Sequence, residues 1–112
     1  MSYMFCHCES LKELDLSNFN TDNVADMRGM FSICKSLEKI NLSHFNTNKV
    51  TDMTYMFCEC SSLKEIDVSN FYIDDDIGVE SMFFGLSDEI KKIIKNQIKN
   101  INEKVFIEDN LF

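Results

Sequence analysis

The chain has 112 residues, a net charge of -8, and 45% hydrophobic residues that include 10 Phe. That composition leaves room for one domain and excludes a disordered chain, while 27% charged residues suit a soluble one. No apolar run reaches the roughly 18 residues of a membrane span, and Met1–Cys8 lacks the basic start and apolar core of a signal peptide. The charge is uneven: residues 1–86 carry 6 Lys+Arg against 14 Asp+Glu, and residues 87–112 are balanced. An acidic body of this kind argues against nucleic acid, whose phosphates require Lys/Arg neutralisation.

The chain repeats at a fixed spacing of 26 residues. Met4-Phe5, Cys8, Ser10-Leu11, Leu14, Leu16-Ser17 and Phe19-Asn20-Thr21 return as Met30-Phe31, Cys34, Ser36-Leu37, Ile40, Leu42-Ser43 and Phe45-Asn46-Thr47. They return again as Met56-Phe57, Cys60, Ser62-Leu63, Ile66, Val68-Ser69 and Phe71. A period of this size, without insertions, predicts a solenoid whose units bury their apolar faces by stacking.

Met1–Phe5 matches the second half of a unit, so the array begins in mid-repeat with no polar cap. That leaves two readings: a piece of a longer array, which is favoured, or an end that packs on another chain by self-association. Within a unit, Leu11-x-x-Leu14-x-Leu16 predicts a short strand with two inward side chains. Stacked strands, about 4.8 Å apart, build a parallel sheet. Phe19, Phe45 and Phe71 follow as inward wedges at a turn. Val24, Met27, Met30 and Phe31, echoed by Val50, Met53, Met56 and Phe57, show the 3–4 spacing of a short helix on the opposite wall. Thr21 or Asn23 is a candidate N-cap for the first such helix and Thr47 for the second. Helices on the outer wall leave the strand side concave.

The third unit decays after Phe71, and the repeat ends where Glu89 replaces leucine. This divides the chain into a solenoid of about three units over 1–86 and a C-terminal segment over 87–112. Ser87-Asp88-Glu89 reads as a helix start. Ile90, Ile93, Ile94, Ile98, Ile101 and Val105 then share one face of an amphipathic helix over 88–104, with lysines mostly on the other. Its expected role is to cover the open end of the stack. A membrane-surface role is disfavoured by the absence of Trp and by the small net charge of the helix. The apolar tail 106–112 either folds back on this helix or frays.

These residues together resemble the BspA-like leucine-rich repeats, the 26-residue bacterial surface protein repeat. The string is Met-Phe-x-x-Cys-x-Ser-Leu-x-x-Ile/Leu-Asp/Asn-Leu-Ser-x-Phe-Asn-Thr-x-x-Val-x-Asp-Met, and it covers residues 1–86. The resemblance implies an α/β fold: a short right-handed leucine-rich-repeat solenoid with parallel strands on its concave side and short helices on its convex side. It also implies a C-terminal capping helix and no catalytic residues. Members are often secreted or surface-displayed, and some resemble adhesins; this chain shows neither export signal nor anchor in its sequence.

Cys6-x-Cys8 and Cys58-x-Cys60 look like metal-binding fragments, with Cys34 between them. The register argues otherwise. Cys8, Cys34 and Cys60 share one slot and stack as small apolar residues. Cys6 and Cys58 lie two units apart, about 10 Å at strand spacing, whereas sulfurs around one tetrahedral zinc lie roughly 4 Å apart. Disulfides are disfavoured by the odd count and by parallel side-chain directions, so free thiols are favoured, held reduced by their compartment or protected by burial. His7 and His44 occupy unrelated slots and read as incidental. Asp74-Asp75-Asp76 fails as an EF-hand loop, because its sixth and twelfth positions are Val79 and Gly85.

No nucleophile–base pair, metal set or cofactor motif emerges, so the expected function is non-catalytic. Residues flanking the inward leucines face the concavity: Glu13, Asp15 and Ser17; Lys39, Asn41 and Ser43; Glu65, Asp67 and Ser69. This acidic rim around a Lys39–Asn41 centre is the expected partner-binding surface, with a basic protein or peptide as the favoured ligand. The alternative is a stacking role, as the C-terminal cap of a longer array or a self-associating solenoid.

Overall fold

Apolar residues alternating with polar ones at 14–16, 40–42 and 66–68 produce three short strands in the computed structural model, which describes residues 1–98 and Phe106. They are β1 (Glu13–Leu14), β2 (Lys39–Asn41) and β3 (Glu65–Asp67), paired in parallel in that order. Glu13 lies opposite Lys39 and Lys39 opposite Glu65; Leu14 lies opposite Ile40 and Ile40 opposite Ile66. Every partner is thus its own counterpart one repeat away. One α-helix among the described residues, α1 (Asp88–Gln97), completes a small α/β domain.

Counterparts stack into columns that make the core. Met27 and Met53 form one column, and Met30, Met56 and Met82 another; all five are fully buried. Phe5, Phe31, Phe57 and Phe83 stack face to face at 5.5–5.7 Å between ring centres. Phe45 and Phe71 are buried as inward wedges, with Phe19 half-covered.

The helices expected at Val24–Phe31 and Val50–Phe57 do not form. Those segments run as successive turns, closed by bonds such as Met30 N–H to Met27 C=O and Cys34 N–H to Phe31 C=O. Two positions per unit are left-handed: Tyr3, Gly29, Tyr55 and Ser81 in one column, His7, Ile33, Glu59 and Gly85 in the other. A positive φ at the third position of a turn closes a tight bend but interrupts an α-helix. β-Branched Ile33, at φ 60°, sits there at a cost of about 1–2 kcal/mol. At Gly29 the Tyr3 ring occupies the place of a side chain, for a Cβ would lie 2.3 Å from it. The remaining N–H groups reach forward to the next unit: Gly29 to Thr54, Phe31 to Met56 and Ile33 to Cys58, at 2.8–2.9 Å. The 3–4 spacing of apolar residues therefore reflects turns, not helix.

Thr21 and Thr47 are not helix caps either. Both are buried, and each hydroxyl clamps a peptide of the next unit. Thr47 Oγ1 accepts from Tyr72 N–H (2.8 Å) and donates to Tyr72 C=O (3.3 Å); Thr21 does the same to Asn46. In the last unit the slot holds Ile73, also buried.

Ser87 caps α1 by accepting Ile90 N–H, with Asp88 and Glu89 in the first turn, as expected. The helix ends at Gln97; the rest of its expected length, with Ile101 and Val105, lies outside the described residues. Ile90 and Ile94 are buried beside β3, but Ile93, expected on the same face, is 39% exposed because it lies off the line joining them. Phe106 stacks on Phe83 at 5.5 Å between ring centres, and the Lys95 ammonium lies over the Phe106 ring, 4.9 Å from its centre.

The clamps give a direct test of the interface between units. Thr47→Val removes the hydroxyl and leaves the Tyr72 peptide without its partner, which lowers stability by about 1–3 kcal/mol. Urea unfolding then shows a lower midpoint with unchanged slope; an unchanged midpoint contradicts the clamp.

Candidate functional site

The sheet face opposite the turns carries two rows set by register. One row reads Glu13, Lys39, Glu65 across the strands; the next reads Asp15, Asn41, Asp67. Inward Leu14, Ile40 and Ile66 lie between the rows. Glu13, Lys39, Asn41, Glu65 and Asp67 line, with those three apolar residues, a groove of about 400 Å³. Lys39 Nζ stands 3.9 Å from carboxylates of both Glu13 and Glu65, with all three side chains more than half exposed. Ion pairs so exposed add roughly 0–1 kcal/mol each, so this row keeps its charges solvated at the surface.

A second groove, about 270 Å³, is lined by Asp15, Ser17, Asn41, Ser43 and His44 with Leu14 and Leu16. Of the nine residues expected on this face, only Ser69 lines neither groove. Asp15, Asn41 and Asp67 also serve their own turns: each side-chain oxygen accepts the N–H of Ser17, Ser43 or Ser69, at 2.9–3.0 Å. The serines are therefore turn residues that fix the neighbouring acid or amide. Ser17, through its hydroxyl and then its N–H, holds the Asp15 carboxyl below the usual aspartate range, opposed by desolvation and aided by nearby His44.

Three residues mattered more than the sequence suggested. His44 donates from Nε2 to Leu16 C=O, which fastens the second unit to the first, and its ring meets Phe45 edge-on. Gln97 turns its amide onto β3: Val68 N–H donates to its Oε1 and its Nε2 donates to Ile66 C=O, both at 2.7 Å. Asn70 likewise donates from its side chain to Ser43 C=O. The recurring cysteines behave as core. Cys34 and Cys60 are buried, and their thiols donate to the carbonyls of Phe5 and Phe31 at 3.1 and 3.0 Å. The neighbouring Cys34 thiol and burial push the Cys60 thiol up, so it stays protonated. Among the described residues no group of three His, Cys, Asp or Glu is placed to hold a metal ion. No described helix is long and apolar enough to cross a membrane.

The depressed Asp15 value has a definite sign. Asp15 stays ionised as pH falls through the ordinary aspartate range, and its charge is lost only as pH passes its lower folded-state value. Ser17→Ala moves that titration upward, read from the Asp15 carboxyl carbon by NMR; an unmoved titration removes Ser17 as the cause.

No curated protein and no solved structure matches the chain. Residues 1–106 match the family described as Mycoplasma protein of unknown function, DUF285. On a match that spans both the repeats and α1, the chain belongs to the DUF285 family.

Proposed function

We propose that the chain is a short leucine-rich-repeat solenoid of the BspA-like kind, and that it recognises a protein or peptide on the sheet face without catalysing a reaction. The one-repeat offset of every strand pair supports the solenoid, and so does membership of DUF285, a family associated with BspA-like repeats. The observation that carries the recognition reading is the groove itself. Its apolar floor at Leu14, Ile40 and Ile66 is rimmed by Glu13, Glu65 and Asp67 around the single cation Lys39. Apolar floor supplies contact area, and an acidic rim steers a basic partner and sets its register. A basic protein or peptide is the ligand class that fits.

The test is a titration with a fluorescent oligolysine peptide, with oligoglutamate as control. Glu65→Lys, whose side chain makes only an exposed ion pair, weakens oligolysine binding about tenfold at low salt and leaves the fold intact by circular dichroism. Equal binding by the variant and the native chain sinks the groove as the site.

A second reading, a terminal segment closing a stack of repeats, is favoured by Gln97. Its amide takes the hydrogen bonds that a further strand would take from β3, and Ile73 stands where a clamping threonine would need another unit. Gln97→Leu lowers stability by about 1–3 kcal/mol if α1 closes the sheet edge, measured by urea unfolding; no loss sinks this reading.

A further inference from the structure

The two rows of the sheet face differ in what they leave open. In the outer row, Lys39 stands 3.9 Å from carboxylates of both Glu13 and Glu65, so that row already holds a cation. In the inner row, Asp15, Asn41 and Asp67 follow one another along the stack. Among the described residues no lysine or arginine pairs with either of these aspartates. Each acid has one oxygen committed to its own turn: Asp15 Oδ1 accepts Ser17 N–H, and Asp67 Oδ1 accepts both the N–H and the hydroxyl of Ser69. The other oxygen, Oδ2, accepts no hydrogen bond from the described residues. Asn41 spends its Oδ1 on Ser43 N–H in the same way, which orients the amide and leaves Nδ2 as an unused donor. The row therefore reads anion, donor, anion, with all three groups held by backbone. Beside it lies the groove of about 270 Å³, with Leu14 and Leu16 in its lining.

We propose that this row binds a proline-rich segment of a partner protein, lying along the stack as a polyproline II helix with lysines three residues apart, an inference that rests on the recognition reading above. Charge complementarity and spacing together specify the occupant. Asp15 and Asp67 stand two strand spacings apart, roughly 9.6 Å. A polyproline II helix returns to the same face every three residues, about 9.3 Å. An extended β-strand returns at about 6.8 or 13.6 Å, to either side of that distance. An α-helix comes near it, at about 10.5 Å for seven residues, but its carbonyls are bonded internally and offer the Asn41 amide no acceptor. Polyproline II has no internal hydrogen bonds, so a carbonyl between the two lysines accepts from Asn41 Nδ2. The cation is lysine, because one free carboxylate oxygen takes an ammonium as a point charge, whereas a guanidinium fork uses both oxygens. Lys39 in the neighbouring row repels a third cation placed between the pair, which selects uncharged residues there. Proline meets that requirement. Its ring finds apolar contact in the groove at Leu14 and Leu16, and its preset backbone loses little entropy on binding.

The test uses two fluorescent twelve-residue peptides of the same composition and charge. One repeats Lys-Pro-Pro; the other repeats Lys-Pro-Lys-Pro-Pro-Pro and contains no pair of lysines three apart. By fluorescence anisotropy at low salt, the first binds the native chain about tenfold tighter than the second. Equal binding of the two overturns the proposal. So does tighter binding of a helical peptide with lysines seven apart, which makes an α-helix the occupant. Asp67→Asn keeps an oxygen for the Ser69 turn and removes the charge, and it brings the two peptides to within about twofold of each other; an undiminished preference overturns the placement on this row. Asn41→Asp keeps the Ser43 turn, adds a negative charge and removes the donor. It leaves oligolysine bound at least as tightly and weakens the Lys-Pro-Pro peptide about fivefold, whereas tightening of both overturns the role of the amide. Glu65→Lys separates this inference from the reading beneath it. If that variant weakens oligolysine while the two proline peptides bind the native chain equally, the groove stands and only the spacing proposal has failed.

Discussion

On the turn wall, a backbone N–H in one unit meets a carbonyl 25 residues further along the chain, at alternate residues over Tyr3–His7, Met27–Ile33 and Met53–Glu59. These bonds satisfy peptide groups that a helix would have satisfied internally, and they do so only when the units are in register. A slip of one residue would turn N–H groups toward the core and move Met30 and Phe31 off their columns. Each bond adds only about 0.5–1.5 kcal/mol net, but leaving one buried and unmade costs more. Register is therefore held chiefly by the penalty for its loss. The left-handed positions follow from the same demand, since Tyr3, Gly29 and Tyr55 must bend the chain while aiming their N–H groups forward.

A stack built this way has two ends with different chemistry. At the downstream end, α1 supplies apolar cover through Ile90 and Ile94, while the Gln97 amide imitates a peptide of the next strand. Phe106 extends the phenylalanine column by one more ring. Two requirements, apolar cover and hydrogen-bond satisfaction, are met by different side chains from one segment. A plain hydrophobic helix would have met the first and left the Val68 N–H and Ile66 C=O unpaired.

Much of this was legible because repetition exposes the columns. The inward roles of Leu16, Phe45 and Cys60 follow from their spacing alone, and so does the parallel order of the strands. The helix expectation for Val24–Phe31 failed because apolar residues three and four apart fit consecutive turns as well as a helical face. The left-handed positions that distinguish the two hold Tyr3, Gly29, Tyr55 and Ser81, a set with no common chemistry. Thr21 and Thr47 carried a usable signal, since threonine persists in one slot and gives way to Ile73 where no clamp is made. Gln97 carried none. Its partners on β3 lie 29 and 31 residues away, and only the docking of α1 brings them together. The rows of the sheet face were readable by position, but the commitment of Asp15, Asn41 and Asp67 to their own turns was not.

That commitment shapes what the sheet face can do. An acid whose oxygen already accepts the N–H of Ser17 or Ser69 is fixed in direction, so this row presents oriented carboxylates and not mobile ones. Glu13 and Glu65 are different: they share Lys39 at 3.9 Å, remain largely exposed, and can change rotamer at little cost. One row is therefore rigid and the other adaptable, with Ile40 buried between them. The same Lys39 that lessens repulsion between stacked glutamates also limits the rim to a local patch of negative potential. Changing the charge of Lys39 therefore alters the potential of this patch, while register between units stays with the backbone bonds of the turn wall.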